Sequence, residues 1–116
     1  MVSEALRAAM QLADGAGDLD GGDVREATAE HPICGDVVRV QLRLDAGRVL
    51  ALAWRASGCP ATLAVASIAR SALCGHPLAE AKGRLRVRLA ALGDLKPHER
   101  HAESLVLNAV TEAGRP

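Results

Sequence analysis

Asp36-Val37-Val38-Arg39-Val40-Gln41-Leu42-Arg43-Leu44, then Asp45-Ala46-Gly47, then Arg48-Val49-Leu50-Ala51-Leu52-Ala53-Trp54-Arg55-Ala56, is the stretch that decides the fold. Val38, Val40, Leu42 and Leu44 alternate with Val37, Arg39, Gln41 and Arg43, a period of two that marks a strand with one buried face. Asp45-Ala46-Gly47 supplies turn chemistry, and the pattern resumes through Val49, Leu50, Leu52 and Trp54. The stretch is an antiparallel hairpin.

Upstream, residues 24–30 are expected to form a first strand, and residues 3–13 a short helix with Ser3 as N-cap and Leu6, Met10 and Ala13 as its apolar positions. Gly15, Gly17, Gly21 and Gly22, with acids between them, place a loop after that helix. Downstream, Ser57-Gly58-Cys59-Pro60 breaks the sheet, and Pro60 suits the first position of a helix reaching Leu73 or Cys74, with Gly75 as a left-handed cap. Leu63, Ala64, Val65, Ala66, Ile68, Ala69 and Leu73 make that helix apolar on most sides, so it is predicted to be central and buried.

Residues 78–92 carry two signals. Arg84, Arg86 and Arg88 alternate with Leu85, Val87 and Leu89 as in a strand, whereas Leu85, Leu89 and Leu92 fit a helix face, which is favoured for the second half. From 97 to 113, Ala102, Leu105, Val106 and Ala109 form a stripe opposite Glu99, Glu103 and Glu112, which predicts an amphipathic helix. The sum is an α+β fold, a small antiparallel sheet of about three strands packed against a buried central helix and C-terminal helices.

The chain has 116 residues, enough for one domain and too few for two, so 1–116 is read as a single domain. Trp54 is the sole aromatic among Phe, Tyr and Trp, which removes the usual stacking platform for single-stranded nucleic acid. Formal net charge is zero with acids and bases interspersed, so neither nucleic acid nor an acidic membrane surface is an expected partner. No apolar run has the length of a membrane span, and Met1-Val2-Ser3-Glu4 does not open a signal peptide, so a cytoplasmic location is expected. Three cysteines, Cys34, Cys59 and Cys74, then argue for metal binding or thiol chemistry rather than a disulfide framework.

Cys34-Gly35-Asp36 leads into the hairpin. Residues two apart in extended chain point the same way, so Cys34 and Asp36 can face one metal; an ordinary buried cysteine beside a turn is the competing reading. Cys59 precedes a helix, where free N–H groups and the helix dipole favour a thiolate. A small capping residue would look the same. His101 and His98 are three apart at the start of the last helix and can share a face, although surface histidines are common. Cys74 stands about fourteen helical residues beyond Cys59, roughly 20 Å at 1.5 Å per residue, too far to share an ion with it. It reads as a core thiol. Lys82, Arg84, Arg86 and Arg88 form either a basic patch for an acidic partner or a solvated face.

Taken together, His31-Pro32-Ile33-Cys34-Gly35-Asp36, the hairpin, Ser57-Gly58-Cys59-Pro60-Ala61-Thr62 with Ala66-Ser67, and Leu95-Lys96-Pro97-His98-Glu99-Arg100-His101 resemble, in order and spacing, the IscU/NifU/SufU family of iron–sulfur cluster assembly scaffolds. The resemblance covers residues 24–113, while 1–23 match poorly. It implies a shallow site at one end of the domain for iron, a nascent [2Fe–2S] cluster or zinc. Cys34 and Cys59 would be ligands, Asp36 a labile oxygen ligand that helps transfer, and His101 an optional ligand or modulator of release. It also implies a cysteine desulfurase and recipient apo-proteins as partners, and a carrier rather than an enzyme.

Two departures stand out. Family members usually read His-Cys at the start of the last helix; here His101 is followed by Ala102, leaving open whether sulfur is accepted. Leu95-Lys96-Pro97-His98-Glu99 matches only in part the Leu-Pro-Pro-Val-Lys stretch that some members present to an Hsp70-type chaperone, and does not establish that partner. His31, His98 and Glu103 are the nearer candidates for a further ligand. Three readings follow: a scaffold holding a cluster through Cys34, Asp36, Cys59 and His101; a zinc-binding or metal-free interaction module; and, ranked last, a cysteine-nucleophile enzyme using Cys59 with His101.

Overall fold

A computed structural model describes residues 3–115; Met1, Val2 and Pro116, which belong to the N-terminal signal reading and to the ends of the 1–116 span, lie outside the described residues. The elements run α1 (Glu4–Leu12), β1 (Arg25–Glu30), β2 (Val37–Asp45), β3 (Arg48–Ser57), α2 (Pro60–Leu73), α3 (Ala81–Ala91) and α4 (Arg100–Ala113), with 3-10 turns at Leu78–Glu80 and Pro97–Glu99. This is the expected α+β architecture.

The three strands form one antiparallel sheet in the order β1-β2-β3. Pairing of Ala29 with Val38 and of Val40 with Trp54 puts Val38, Val40, Leu42, Leu52 and Trp54 in the core. Against that face α4 packs on β1 and β2, and α2 on β3, while α1 and α3 flank α2. Val65, Ile68 and Leu73 from α2 and Val106, Ala109 and Val110 from α4 complete the core. Burial of a Val or Leu side chain contributes ~1.5–3 kcal/mol, so these aliphatic layers hold the sheet and helices together with Trp54 as the sole large ring. The Trp54 indole N–H is satisfied by the Asp14 carbonyl at 2.8 Å.

The outer face of the sheet carries Arg39, Gln41, Arg43 and Arg55, and the glycine-rich loop lies across it. Arg39 and Arg55 both bind the Asp18 carboxylate, the Leu19 N–H donates to Gln41 Oε1 at 2.8 Å, and Arg43 reaches the Asp20 carbonyl. Hydrogen bonds from Arg55 and Arg39 hold the Asp18 carboxyl well below the usual carboxylate range.

Ser3 caps α1, accepting from the Leu6 N–H at 3.2 Å, as its residue type predicts. Three readings are corrected. Gly75 does adopt a left-handed φ of +87°, but α2 ends on an extended Cys74, and the Gly75 N–H donates to the Val49 carbonyl of β3 at 2.7 Å. Residues 81–91 are helical throughout, because burying Ala81, Leu85 and Leu89 against the core outweighs the alternation of arginines. Glu103 is not on the solvent face of α4: it is buried beside Arg86, at 2.6 Å. Arg86 also binds Asp94, and Arg84 binds Glu80 at 2.7 Å, so two members of the basic run are spent on internal ion pairs.

Candidate metal centre

The site forms where β3 ends, α2 starts, β2 starts and α4 starts. Gly58 has φ of +147°, and a Cβ there would lie 2.6 Å from Asp36 Oδ1. Only glycine lets the β3–α2 connection close over the carboxylate at that φ. Cys59 is the N-cap of α2, with Pro60 following; its side chain makes no capping bond, and its N–H donates to Asp36 Oδ2 at 3.3 Å.

Asp36 is buried at the entrance to β2. The Thr62 hydroxyl, fully buried in the first turn of α2, donates to Oδ2 at 2.8 Å. Burial pushes the Asp36 carboxyl up, but donors from Thr62, the Cys59 thiol and N–H, and His101 outweigh it and hold the group below its ordinary value. The carboxylate is therefore an anion in the fold.

His101 enters from the first turn of α4. Its Nδ1 lies 3.2 Å from the His98 carbonyl, which leaves Nε2 as the nitrogen that faces the site. Nε2 lies 3.5 Å from Cys59 Sγ and 3.4 Å from Asp36 Oδ2. A histidine whose outer nitrogen is tied to a carbonyl is the arrangement that fixes metal ligands. Ligand atoms of Asp36, Cys59 and His101 all lie within 4.8 Å of one another. Tetrahedral bonds of ~2.0–2.3 Å set ligand atoms ~3.3–3.8 Å apart, the range in which the observed 3.4 and 3.5 Å separations fall. Mixed oxygen, nitrogen and sulfur donors suit zinc and iron.

Cys34 is placed differently. The extended geometry expected for Cys34-Gly35-Asp36 gives way to a turn between β1 and β2, with Gly35 at φ +73°, and Cys34 is exposed while Asp36 is buried. Cys34 is outside the group formed by Asp36, Cys59 and His101. Its N–H donates to His31 Nδ1 at 3.1 Å, and the His31 ring stands edge-on to that of His101 with centroids 5.1 Å apart. The turn bearing Cys34 thus borders the site through His31. Ile33, beside it, is 89% exposed. Of the other suggested ligands, His98 is exposed and Glu103 is engaged by Arg86. Ala102 is fully buried in the core.

Cys74 lies at the opposite end of α2, where burial pushes its thiol up against the opposing charge of Arg70. A cavity of about 440 Å³ opens beside Cys59 and His101, with Arg7, Met10, Pro60 and His98 in its walls. In the sequence Gly58 reads as part of the break that ends the sheet and Thr62 as part of the motif that opens α2, neither as a partner of Asp36. The available signal was position: a hydroxyl in the first helical turn faces back toward the N-cap residue.

A family model described as the NifU-like N-terminal domain matches residues 9–114. The chain belongs to the NifU-like N-terminal domain family. Two proteins of Archaeoglobus fulgidus, each described as an iron–sulfur cluster assembly scaffold protein IscU, are 29% identical to it over 97 residues, which is 83% of this chain. The chain spans about three-fifths of those relatives, the match taking in 61% of their length. Among solved structures, the N-terminal NifU-like protein of Brucella abortus superposes with a TM-score of 0.74 at 21% identity, covering 96% of this chain and 90% of that one. An iron–sulfur cluster assembly scaffold described for the SUF system of Fervidobacterium islandicum gives 0.73 at 16% identity, covering 95% and 93%. These two likenesses establish the NifU-like fold of the chain, with its three-stranded sheet and helices. Among the described residues no helix is long and apolar enough to cross a membrane.

Proposed function

We propose that this chain is a scaffold or carrier for iron–sulfur cluster assembly, holding iron or a nascent [2Fe–2S] cluster as cargo rather than turning over a substrate. The observation that carries the reading is the convergence of Asp36, Cys59 and His101, with ligand atoms within 4.8 Å of one another. Family membership and the description of the archaeal relatives as iron–sulfur cluster assembly scaffolds support the cargo assignment. Thiolate is the soft ligand such cargo requires, and carboxylate and imidazole complete a labile set.

In this reading Cys59, His101 and Asp36 take the ion, and Cys34 joins as a second thiolate when the turn at 31–36 moves inward. The exposed position of Cys34 makes it the thiol a sulfur donor reaches first, which suits a cysteine desulfurase as partner and recipient apo-proteins as destination. Ala102 supplies no sulfur, so cargo is bound with fewer thiolates than a three-cysteine site would provide.

A second reading, zinc held in an interaction module, is favoured by one observation. The preformed group contains a single thiolate, one imidazole and one carboxylate, a set that tetrahedral zinc accepts without any movement of Cys34. Anaerobic reconstitution with iron and sulfide separates the two. Charge-transfer bands that disappear in Cys34→Ser and Cys59→Ser support the scaffold; a colourless protein holding one zinc that iron and sulfide cannot displace supports the module.

A further inference from the structure

Asp36 Oδ2 is the carboxylate oxygen nearest His101, at 3.4 Å from Nε2, and it is also the oxygen that two protein donors already hold. The Thr62 hydroxyl reaches it at 2.8 Å and the Cys59 N–H at 3.3 Å. An oxygen with two lone pairs and two donors has none left for an ion. For Asp36 to ligate through Oδ2, one donor must withdraw. The Cys59 N–H is fixed by the backbone at the start of α2, whereas the hydroxyl turns about one bond. An alternative acceptor waits for it, since Thr62 Oγ1 is also 3.5 Å from Cys59 Sγ. A hydroxyl has a single proton, so it serves Asp36 or the sulfur but not both.

We propose that Thr62 is a positioning residue that competes with the bound ion for Asp36 Oδ2, and so sets how readily the Asp36 arm lets go. With an ion in place the Thr62 hydroxyl turns to the Cys59 sulfur. As the ion leaves, it swings back and recaptures the carboxylate. Thr62 is fully buried, so no water stands in for it when it is removed. A buried carboxylate without that donor is under-satisfied and holds the ion harder. The inference rests on reading Asp36, Cys59 and His101 as the ion-holding group, and it assigns release, rather than binding, to a residue outside that group.

The sign of the effect separates this role from a packing role. Loss of packing alone loosens a site and speeds ion loss, whereas loss of a competitor slows it. The test loads the purified full chain with zinc and follows transfer to a chromophoric chelator. Thr62→Val keeps the side-chain shape and removes the hydroxyl. Release about tenfold slower than wild type is expected, the scale of one hydrogen bond to a charged group. Thr62→Ser restores the wild-type rate, and Thr62→Ala, which packs differently, slows release as Val does. In an Asp36→Asn background, Thr62→Val changes nothing further, because the contested oxygen is no longer anionic. Equal or faster release from both Thr62→Val and Thr62→Ala, with wild type binding zinc normally, overturns the role of Thr62 and leaves the site reading standing. A wild-type chain that binds no zinc overturns both.

Discussion

Gly58 closes over Asp36 so tightly that no other residue fits between them. The α-carbon of Gly58 sits at φ +147°, and an added Cβ would be 2.6 Å from Asp36 Oδ1 and 2.8 Å from Asp36 Cβ. Gly58→Ala therefore adds backbone strain of ~1–3 kcal/mol and displaces the carboxylate. The expected result is a lower thermal midpoint together with at least tenfold weaker zinc binding. Unchanged binding in a folded Gly58→Ala protein would show that the carboxylate is not a ligand.

Asp36 also makes stability depend on pH. Its folded-state pKa is depressed below the unfolded value, so its contribution is complete above about pH 4 and disappears as pH falls through the lower folded value. Asp36→Asn removes that term. In ion-free buffer, the midpoint difference between wild type and Asp36→Asn is expected to be largest near neutral pH and to shrink steadily below pH 4, read by thermal unfolding at several pH values.

Arg86 neutralises Glu103, which α4 buries. Arg86→Met leaves that carboxylate without its cation at 2.6 Å. Breaking a fully buried pair costs about 3–5 kcal/mol; with Arg86 partly exposed and water able to reach the site, a loss of about 2–3 kcal/mol is expected. Urea unfolding measures it, and Glu103→Gln, which removes the buried charge itself, should cost less.

The three thiols should react in a fixed order. Cys34 is exposed, Cys59 is partly covered, and Cys74 is partly covered with its thiol pushed up by burial, which lowers its thiolate fraction. Timed alkylation followed by peptide mass analysis should label Cys34 first and Cys74 last. Prior zinc loading should slow Cys59 most. Protection of Cys74 by zinc would contradict the geometry.

Much of this arrangement was legible in the residues. The alternation from Val38 to Leu44 gave the central strand because a sheet with one buried face has no other economical pattern. Pro60 and the capping position of Cys59 located α2 because both act locally. The resemblance implied one site for Cys34, Asp36, Cys59 and His101; the last three lie together, and Cys34 stands outside the group. What local rules missed was set by tertiary contacts. Residues 81–91 follow the core demand of Leu85 and Leu89, not the arginine alternation. Cys34 turns outward because Gly35 takes a left-handed conformation and the Cys34 N–H finds His31 Nδ1. Thr62 contacts Asp36 across 26 positions of chain, a separation at which periodicity carries no information.

Whether Cys59 and His101 hold a cluster is decided by the iron and acid-labile sulfide content of the chain after anaerobic reconstitution, compared with Cys59→Ser and His101→Ala. Iron and sulfide are expected in equal amounts in the wild type, with visible charge-transfer bands, lost in Cys59→Ser and released faster in His101→Ala. Wild-type protein that takes up neither iron nor sulfide, or variants that retain both unchanged, would contradict that role for Cys59 and His101.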